Sequence, residues 1–207
     1  MNPRLPRILL LATAAFVAAL LGARALMPDA AAPPLLERAV WLPDAAPLPE
    51  LAFVDESGAP FDARRLQGRW TYVFFGFASC PDICPTTLAT LASVRNALRD
   101  LPTELQPAVL LVTVDPSRDD ATRLAPYVRY FDPAFQAITG DEVSLARLAS
   151  ALGAAYARVP LAGGGYTMDH TSSLFLIGPD GRLVATSGAP HDADVIARDY
   201  RVLVARH

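Results

Sequence analysis

The segment that most constrains the fold is Trp70–Phe77 (WTYVFFGF), a run made almost entirely of aromatic and β-branched residues. Such a run is typical of a central strand buried on both faces, which needs a covering layer on each side of its sheet. A second run, Ala108–Val114 (AVLLVTV), has the same character. Two buried strands with a helical segment between them predict an α/β fold.

The remaining segments predict helices and hairpins around these strands. Apolar residues at helical spacing favour helices at 85–98, 119–131, 141–152 and 192–204. Turn residues favour a small hairpin beginning near residue 51 and another over 173–186. This order of elements fits a thioredoxin-like sandwich, in which helices flank a central mixed sheet, and periodicity alone leaves other α/β folds open.

The N-terminus predicts export from the cytoplasm. Residues 8–23 are apolar or small throughout, with Arg4 and Arg7 before them and Arg24 after them. A basic flank followed by such a stretch is typical of a membrane anchor or a secretory signal. We therefore assign residues 1–27 to an anchor or signal, 28–46 to a Pro/Ala-rich tether and 47–207 to the folded domain. The positive flank predicts a single-pass protein of the inner (cytoplasmic) membrane with its soluble domain on the periplasmic side.

Charge and composition exclude several functions. All 18 basic residues are Arg, so Schiff-base chemistry and a phosphate-binding Gly-Lys-Ser/Thr loop are excluded. Residues 1–25 hold three of these Arg and none of the 21 acidic residues, which leaves 15 Arg and a net charge of −6 for the rest. An acidic domain with scattered Arg is not expected to bind nucleic acid. A metal or redox site must draw on two Cys and three His.

Both cysteines directly follow the first buried strand, in the segment Cys80-Pro-Asp-Ile-Cys84-Pro85. Because Pro is favoured at the first position of a helix, Pro85 places Cys84 near the N-cap and Cys80 in the loop at the carboxyl end of the strand. A helix N-terminus stabilises thiolates and lowers their pKa. The spacing leaves three uses open: a structural disulfide, a redox-active pair, or two metal ligands.

His170 is the strongest candidate for a third ligand, although a surface histidine without a function explains the residues equally well. It lies at the start of the predicted strand 174–177 and follows a Gly-rich stretch, 161–165, which we expect to be mobile. In a thioredoxin-like sheet that strand neighbours the central one, so His170 would approach the cysteine loop. Two thiolates and one imidazole form a soft, low-coordinate set that suits Cu(I), whereas structural zinc sites use four ligands.

Three acidic residues are candidate neighbours of this site. Asp169 precedes His170 and is a candidate to orient its ring. Asp82 lies between the cysteines, and Asp115 follows the second buried strand. A turn or cap formed with Pro116 explains Asp115 equally well. The other histidines are less informative: His207 is the C-terminal residue, and His191 is expected to be solvated at the start of the last helix.

The sequence resembles the SCO/SenC copper-binding proteins of the thioredoxin superfamily over residues 47–205. The Cys-x-x-x-Cys-Pro motif alone is a weak signal, but several further segments occur with it in the same order. They are Phe74–Pro85 (FFGFASCPDICP), Val112–Asp119 (VTVDPSRD), Phe131–Phe135 with Thr139-Gly140, and Asp169–Ser172 (DHTS) with Gly178–Gly181.

The resemblance implies that Cys80, Cys84 and His170 bind one copper ion, as Cu(I) or Cu(II). The implied role is a metallochaperone rather than an enzyme. It would receive copper from other chaperones and deliver it to the binuclear copper centre of cytochrome c oxidase subunit II, directly or with its assembly factors. The alternative is a thiol–disulfide oxidoreductase, in which Cys80 and Cys84 keep the cysteines of that subunit or of other exported proteins reduced.

Overall fold

A computed structural model of the protein describes residues 33–206 together with Thr13, Phe16 and Val17. The chain divides into two units, Met1–Pro33 and Pro34–His207. Apart from those three residues, which are helical, the anchor predicted over 1–27 lies outside the described residues. Within the described part of the chain, no helix is long and apolar enough to cross a bilayer.

An eight-stranded mixed sheet forms the centre of the second unit, with the strands in the order β1-β10-β9-β4-β5-β6-β2-β3. Strands β4, β5 and β6 are parallel to one another, and the other pairings are antiparallel. A separate antiparallel hairpin consists of β7 and β8. The strands are β1 (Val40–Trp41), β2 (Phe53–Asp55), β3 (Pro60–Phe61), β4 (Thr71–Gly76), β5 (Ala108–Thr113), β6 (Gln136–Gly140), β7 (Tyr156–Pro160), β8 (Tyr166–His170), β9 (Leu174–Ile177) and β10 (Leu183–Ser187).

Four α-helices of the described chain flank this sheet. They are α1 (Ile83–Ala97), α2 (Ala121–Phe131), α3 (Glu142–Leu152) and α4 (Ala193–Val204), and short 3₁₀ turns occur at Ala63–Leu66 and Thr103–Leu105. Aspartates begin three of the helices: the side chains of Asp120, Asp141 and Asp192 each accept a first-turn backbone N–H. Gly153, in the left-handed region at φ 71°, ends α3.

The two runs of apolar residues form the middle of the sheet, as predicted. Every residue of β4 is buried, and β5 is buried from its second residue onward. The ring of Trp70 packs edge-on against Tyr200 of α4, with the centroids 5.9 Å apart. The positions of the four helices and of the hairpins β2–β3 and β9–β10 also agree with the sequence pattern, which confirms the predicted α/β order.

Three elements differ from the expectation. Strand β1 lies within the predicted tether and pairs with β10, but two residues are too short a segment to show a strand period. Strand β6 was not predicted, because its five residues contain Gln, Thr and Gly. The β7–β8 hairpin was not predicted either, and the stretch 161–165 forms its turn, in which Gly164 N–H donates to Leu161 O.

The segment before β1 is held to α4 by one buried carboxylate. Asp199 is buried, and its side chain accepts the backbone N–H groups of Glu37, Arg38 and Ala39 at 2.7, 3.0 and 2.8 Å. The carboxylate of Glu37 also pairs with Arg198 at 2.6 Å, but both of these side chains are exposed. The domain therefore includes residues that precede its first strand.

Replacing Asp199 by Asn is expected to lower the free energy of unfolding by about 1–3 kcal/mol, because the charged acceptor of three hydrogen bonds is lost. Urea unfolding measures this change. Asp194→Asn is the matched control, since Asp194 lies on the same helix and is exposed, and it should change the stability by less than about 0.5 kcal/mol. Equal unfolding midpoints for the two variants would contradict the proposed role of Asp199.

Candidate metal centre

The cysteine loop leaves the carboxyl end of β4 and leads directly into α1. Helix α1 begins at Ile83, two residues earlier than predicted, so Cys84 is its second residue and Pro85 its third. Pro is tolerated there because backbone N–H groups of the first turn have no partner within the helix. The side chain of Asp82 forms no capping bond; instead, Cys84 N–H points to Cys80 Sγ at 3.4 Å. The sulfur of Cys80 therefore accepts a hydrogen bond from the first turn of the helix.

Close packing brings the end of β4 against the second cysteine. A Cβ atom added at Gly76 would lie 3.1 Å from Cys84 Sγ, 2.9 Å from the Phe74 ring and 3.0 Å from the Leu111 side chain. These distances are tighter than ordinary van der Waals contacts. Glycine at this position therefore lets the buried sulfur of Cys84 lie directly against the sheet.

His170, the last residue of β8, completes the cluster. Its Nε2 lies 3.4 Å from Cys84 Sγ, and its Nδ1 lies 3.0 Å from Thr171 O. Because a carbonyl oxygen only accepts hydrogen bonds, Nδ1 carries the proton of the neutral ring, and the lone pair of Nε2 faces the sulfur. The rings of Phe74 and Phe77 contact the imidazole edge-on, with centroids 5.9 and 6.0 Å away. Two residues of the apolar core thus also fix the plane of the histidine ring.

The structure brings the three predicted ligands together from positions 80, 84 and 170. Their ligand atoms all lie within 4.8 Å of one another, and among the described residues no further His, Cys or acidic side chain joins this group. Both cysteines are free thiols. Two sulfurs and one imidazole nitrogen at this separation can converge on a single soft metal ion.

The three acidic candidates have different positions. Asp82 is exposed at the start of α1. Asp115 is buried, pairs with Arg118, and accepts the Tyr166 hydroxyl at 2.9 Å. Asp169 is exposed and does not orient the ring of His170, because neighbouring residues of a strand face opposite sides. The backbone carbonyl of Thr171 accepts from His170 Nδ1 instead, which corrects the expectation for Asp169.

A fourth carboxylate, which sequence reasoning missed, lies beneath the cysteine loop. Asp119 has no exposed surface, and its Oδ2 accepts Ala78 N–H at 2.9 Å and the Thr113 hydroxyl at 2.7 Å. Burial raises its pKa. The Arg123 guanidinium lies 3.6 Å from Asp119 Oδ1 and also donates to the Ser79 hydroxyl at 2.6 Å. The signals in the sequence were the position of Asp119 in the turn after the second buried strand and its place at the end of the segment Val112–Asp119.

The two thiols have opposite acidities. A hydrogen bond from the Cys84 thiol, together with the N–H groups of Cys84 and Asp82, outweighs burial and lowers the pKa of Cys80 to about 4. The same hydrogen bond to Cys80, together with burial, raises the pKa of Cys84. The half-buried Cys80 is therefore the thiolate at neutral pH, and Cys84 is the protonated partner.

His191 differs from the expectation that it is solvated. It is half-buried, with Nε2 2.8 Å from Ser172 O, and burial lowers its pKa. The position at the start of α4 was predicted correctly, but the contact with the segment after His170 was not. His191 is not part of the three-residue cluster.

Comparison with known proteins assigns the chain to a family. The model of the SCO1/SenC family matches residues 45–205, most of the chain. The chain belongs to the SCO1/SenC family. A Stutzerimonas stutzeri protein named as a candidate copper-binding protein is 39% identical over 168 residues, which cover 79% of this chain and 81% of that protein.

Further SCO proteins agree with this assignment. The mouse mitochondrial SCO2 homologue is 32% identical over 75% of this chain, which spans only 62% of the mouse protein. The copper-bound structure of ScoI from Bradyrhizobium japonicum has a TM-score of 0.66 and 30% identity, covering 75% of this chain and 98% of that chain. The similarity to SCO structures confirms the thioredoxin-like sandwich predicted from the order of the elements.

The low pKa of Cys80 predicts an unusual pH dependence of alkylation. A thiol of ordinary pKa loses reactivity about tenfold per pH unit below its pKa. Cys80 remains a thiolate above about pH 4, so its rate with iodoacetamide should stay nearly constant from about pH 5.5 to 8. Mass spectrometry after limited reaction should find the label on Cys80, since Cys84 is buried and protonated.

The matched control for this measurement is Cys84→Ala. It removes the hydrogen-bond donor that contributes most to the low pKa of Cys80, so the rate should become dependent on pH in the same interval. A wild-type rate that rises about tenfold per unit over this interval would contradict the assignment of Cys80 as the thiolate.

Proposed function

We propose that the protein is a membrane-tethered copper metallochaperone that binds one copper ion through Cys80, Cys84 and His170. The observation that carries the proposal is the convergence of two sulfurs and one imidazole nitrogen within 4.8 Å. Copper is the cargo of this site, held as Cu(I) or Cu(II). The copper bound by the Bradyrhizobium relative supports the choice of metal.

The ligand chemistry favours copper over zinc. Structural zinc sites are almost always four-coordinate, and the described residues supply three ligands to this group. Thiolates select Cu(I), and imidazole is a good ligand for Cu(II). Burial of Cys84 and the aromatic rings beside His170 limit the access of water to the ion. The site therefore has donors for both oxidation states.

The recipient and the location follow from the family resemblance and from the N-terminal sequence. We propose delivery to the binuclear copper centre of cytochrome c oxidase subunit II, with other copper chaperones as donors. The basic and apolar N-terminal segment supports a single-pass anchor in the inner membrane, with the domain on the periplasmic side. Half-exposed Cys80 is the ligand through which copper would pass to a partner.

Copper titration of the reduced protein tests the proposal. We expect one Cu(I) per chain, and a Cu(II) form with thiolate-to-copper charge-transfer absorption. His170→Ala should lower Cu(II) affinity by about 100-fold or more, since it removes a ligand rather than an outer partner of one. Cu(I) affinity should fall by less than about tenfold, because two thiolates retain this soft ion.

Two controls accompany this titration. His191→Gln keeps a hydrogen-bond donor toward Ser172 O and should bind copper like the wild type. The double variant Cys80→Ser/Cys84→Ser should bind no Cu(I) above background. If the wild-type protein binds no more Cu(I) than this double variant, the metallochaperone proposal is wrong.

The asymmetry of the two thiols supports a second candidate function, thiol–disulfide exchange. Thiolate Cys80 would attack a disulfide of an exported protein and form a mixed disulfide, releasing one partner thiolate. Cys84 would then give up its proton and attack Cys80 Sγ, which releases the second partner thiol and leaves a Cys80–Cys84 disulfide. The two functions use the same sulfurs and are compatible.

Reduction of an oxidised subunit II fragment distinguishes this candidate. Wild type and His170→Ala should reduce the fragment at rates within about threefold of each other, because the imidazole takes no part in the exchange of sulfurs. Cys80→Ser should be inactive, and Cys84→Ser should accumulate the mixed disulfide. Absence of that trapped species would rule out the exchange mechanism.

A further inference from the structure

The hairpin that carries His170 has no strand pairing with the eight-stranded sheet. Strands β7 and β8 pair only with each other among the described strands, with Tyr156 opposite His170 and Pro160 opposite Tyr166. Apart from the short connection of residues 171–173 to β9, the placement of His170 beside the cysteines therefore depends on contacts made by side chains between this hairpin and the rest of the domain.

The densest set of these contacts surrounds Tyr166, the first residue of β8. Its hydroxyl donates to Asp115 Oδ1 at 2.9 Å, and its carbonyl oxygen accepts from Arg118 Nη1 at 3.1 Å. Arg118 in turn forms an ion pair with Asp115, whose side chain is only 1% exposed. A single tyrosine thus contacts both members of a mostly buried ion pair in the segment between β5 and α2.

The ring of Tyr166 is also stacked by two guanidinium groups. The Cζ atoms of Arg118 and Arg158 lie 3.9 and 4.1 Å from its centroid, well within the range of cation–π interactions. Arg158 belongs to β7, and its Nη2 lies 3.4 Å from the Ser117 hydroxyl. The ring is therefore held between its own hairpin and the segment that follows β5.

Strand geometry connects Tyr166 to the metal ligand. Alternate residues of a strand share a face, so Tyr166, Met168 and His170 face the same side of β8. Met168 packs against the core. Arg118 Cζ also lies 6.0 Å from the ring of Phe77, the same ring against which His170 packs. Tyr166 lies four residues from His170, roughly 13 Å along the strand, so it acts on the ligand through the hairpin.

We propose that Tyr166, held by Asp115, Arg118 and Arg158, is a positioning residue that keeps His170 Nε2 beside the cysteine sulfurs. The inference rests on the proposed copper-binding function. It adds that Tyr166 contributes to the affinity of the site for Cu(II) relative to Cu(I). When this anchor is lost, the hairpin samples positions in which the imidazole is out of reach. Binding of Cu(II), which needs the imidazole, weakens, whereas Cu(I) stays on the two thiolates.

Two substitutions at Tyr166 separate its contacts. Tyr166→Phe removes the hydrogen bond to Asp115 but keeps an aromatic ring between the guanidinium groups. It should lower Cu(II) affinity about fivefold, in line with the loss of one hydrogen bond of ordinary strength. Tyr166→Ala removes both contacts and should lower it about 30-fold, within the range for residues that act through a ligand. Cu(I) affinity should change less than about threefold in both variants.

The test uses the full chain and three readouts. Competition titrations give the Cu(I) and Cu(II) affinities, and the electron paramagnetic resonance spectrum of the Cu(II) form shows whether nitrogen still coordinates. In the copper-free protein, the rate of modification of His170 by diethylpyrocarbonate reports the position of the hairpin, and it should rise in the order wild type, Tyr166→Phe, Tyr166→Ala. Val159→Ala is the control, because Val159 lies on the opposite, exposed face of β7.

The outcomes separate this inference from the function on which it rests. If His170→Ala weakens Cu(II) binding but Tyr166→Ala matches the wild type in affinity, spectrum and modification rate, the positioning role is wrong and the metal site stands. If His170→Ala itself leaves Cu(II) binding unchanged, the proposed ligand set fails and the inference fails with it. Should Tyr166→Ala not fold, Tyr166→Phe and Arg158→Gln carry the same comparison, and wild-type behaviour of both overturns the inference.

Discussion

The buried carboxylate of Asp119 is the interaction on which the rest of the site depends. Its Oδ2 accepts the N–H of Ala78 in the cysteine loop and the hydroxyl of Thr113 at the end of β5. The backbone carbonyl oxygen of Asp119 accepts the hydroxyl of Thr139 in β6. One residue thus joins the carboxyl ends of three parallel strands. A buried carboxylate is costly, and the two hydrogen bonds to Oδ2 offset part of that cost only when Ala78 and Thr113 are in place, so this arrangement favours one conformation of the loop. Cys80 follows Ala78 by two residues, so the hydrogen bond to Ala78 N–H holds the backbone close to the Cys80 sulfur.

The fixed loop explains why two chemically identical thiols differ. Cys84 lies on α1 against Gly76 and loses its solvent, whereas Cys80 remains half-exposed and accepts hydrogen bonds from the first turn of the helix. The hydrogen bond from the Cys84 thiol and the backbone N–H donors favour the thiolate of Cys80, whereas that bond and desolvation favour the neutral thiol of Cys84. Because both effects come from the backbone path between β4 and α1, the asymmetry is a property of the fold. The same asymmetry suits both proposed functions, metal transfer and disulfide exchange.

Local patterns in the sequence were sufficient for elements whose signal lies within a few residues. The aromatic run of β4, the apolar spacing of the four helices and the Cys-x-x-x-Cys-Pro segment belong to this class, and the family motifs supported His170. The sequence could not show contacts between distant segments, such as Asp119 with Ala78 or Tyr166 with Asp115. Strand β1 was not predicted for the same reason, since its two residues form a strand only through pairing with β10. Asp169 was assigned to His170 by adjacency, although strand alternation separates neighbouring side chains.

The three ligands are attached to the fold in different ways, and this difference bears on how the site works. Cys80 and Cys84 are bound to the central sheet through β4, α1 and the hydrogen bonds of Asp119. His170 is on a hairpin held by a cation–π stack, an ion pair and packing of Phe74 and Phe77. The guanidinium groups stacked on Tyr166 belong to Arg118, which is about one-third exposed, and to Arg158, which is exposed, so these contacts break at lower cost than the core contacts beneath the cysteines. Because the two cysteines are rigidly held and His170 is anchored separately, the imidazole can leave the metal first. Cu(I) then stays on the two sulfurs, and the sulfur of Cys80 is accessible to an incoming thiolate.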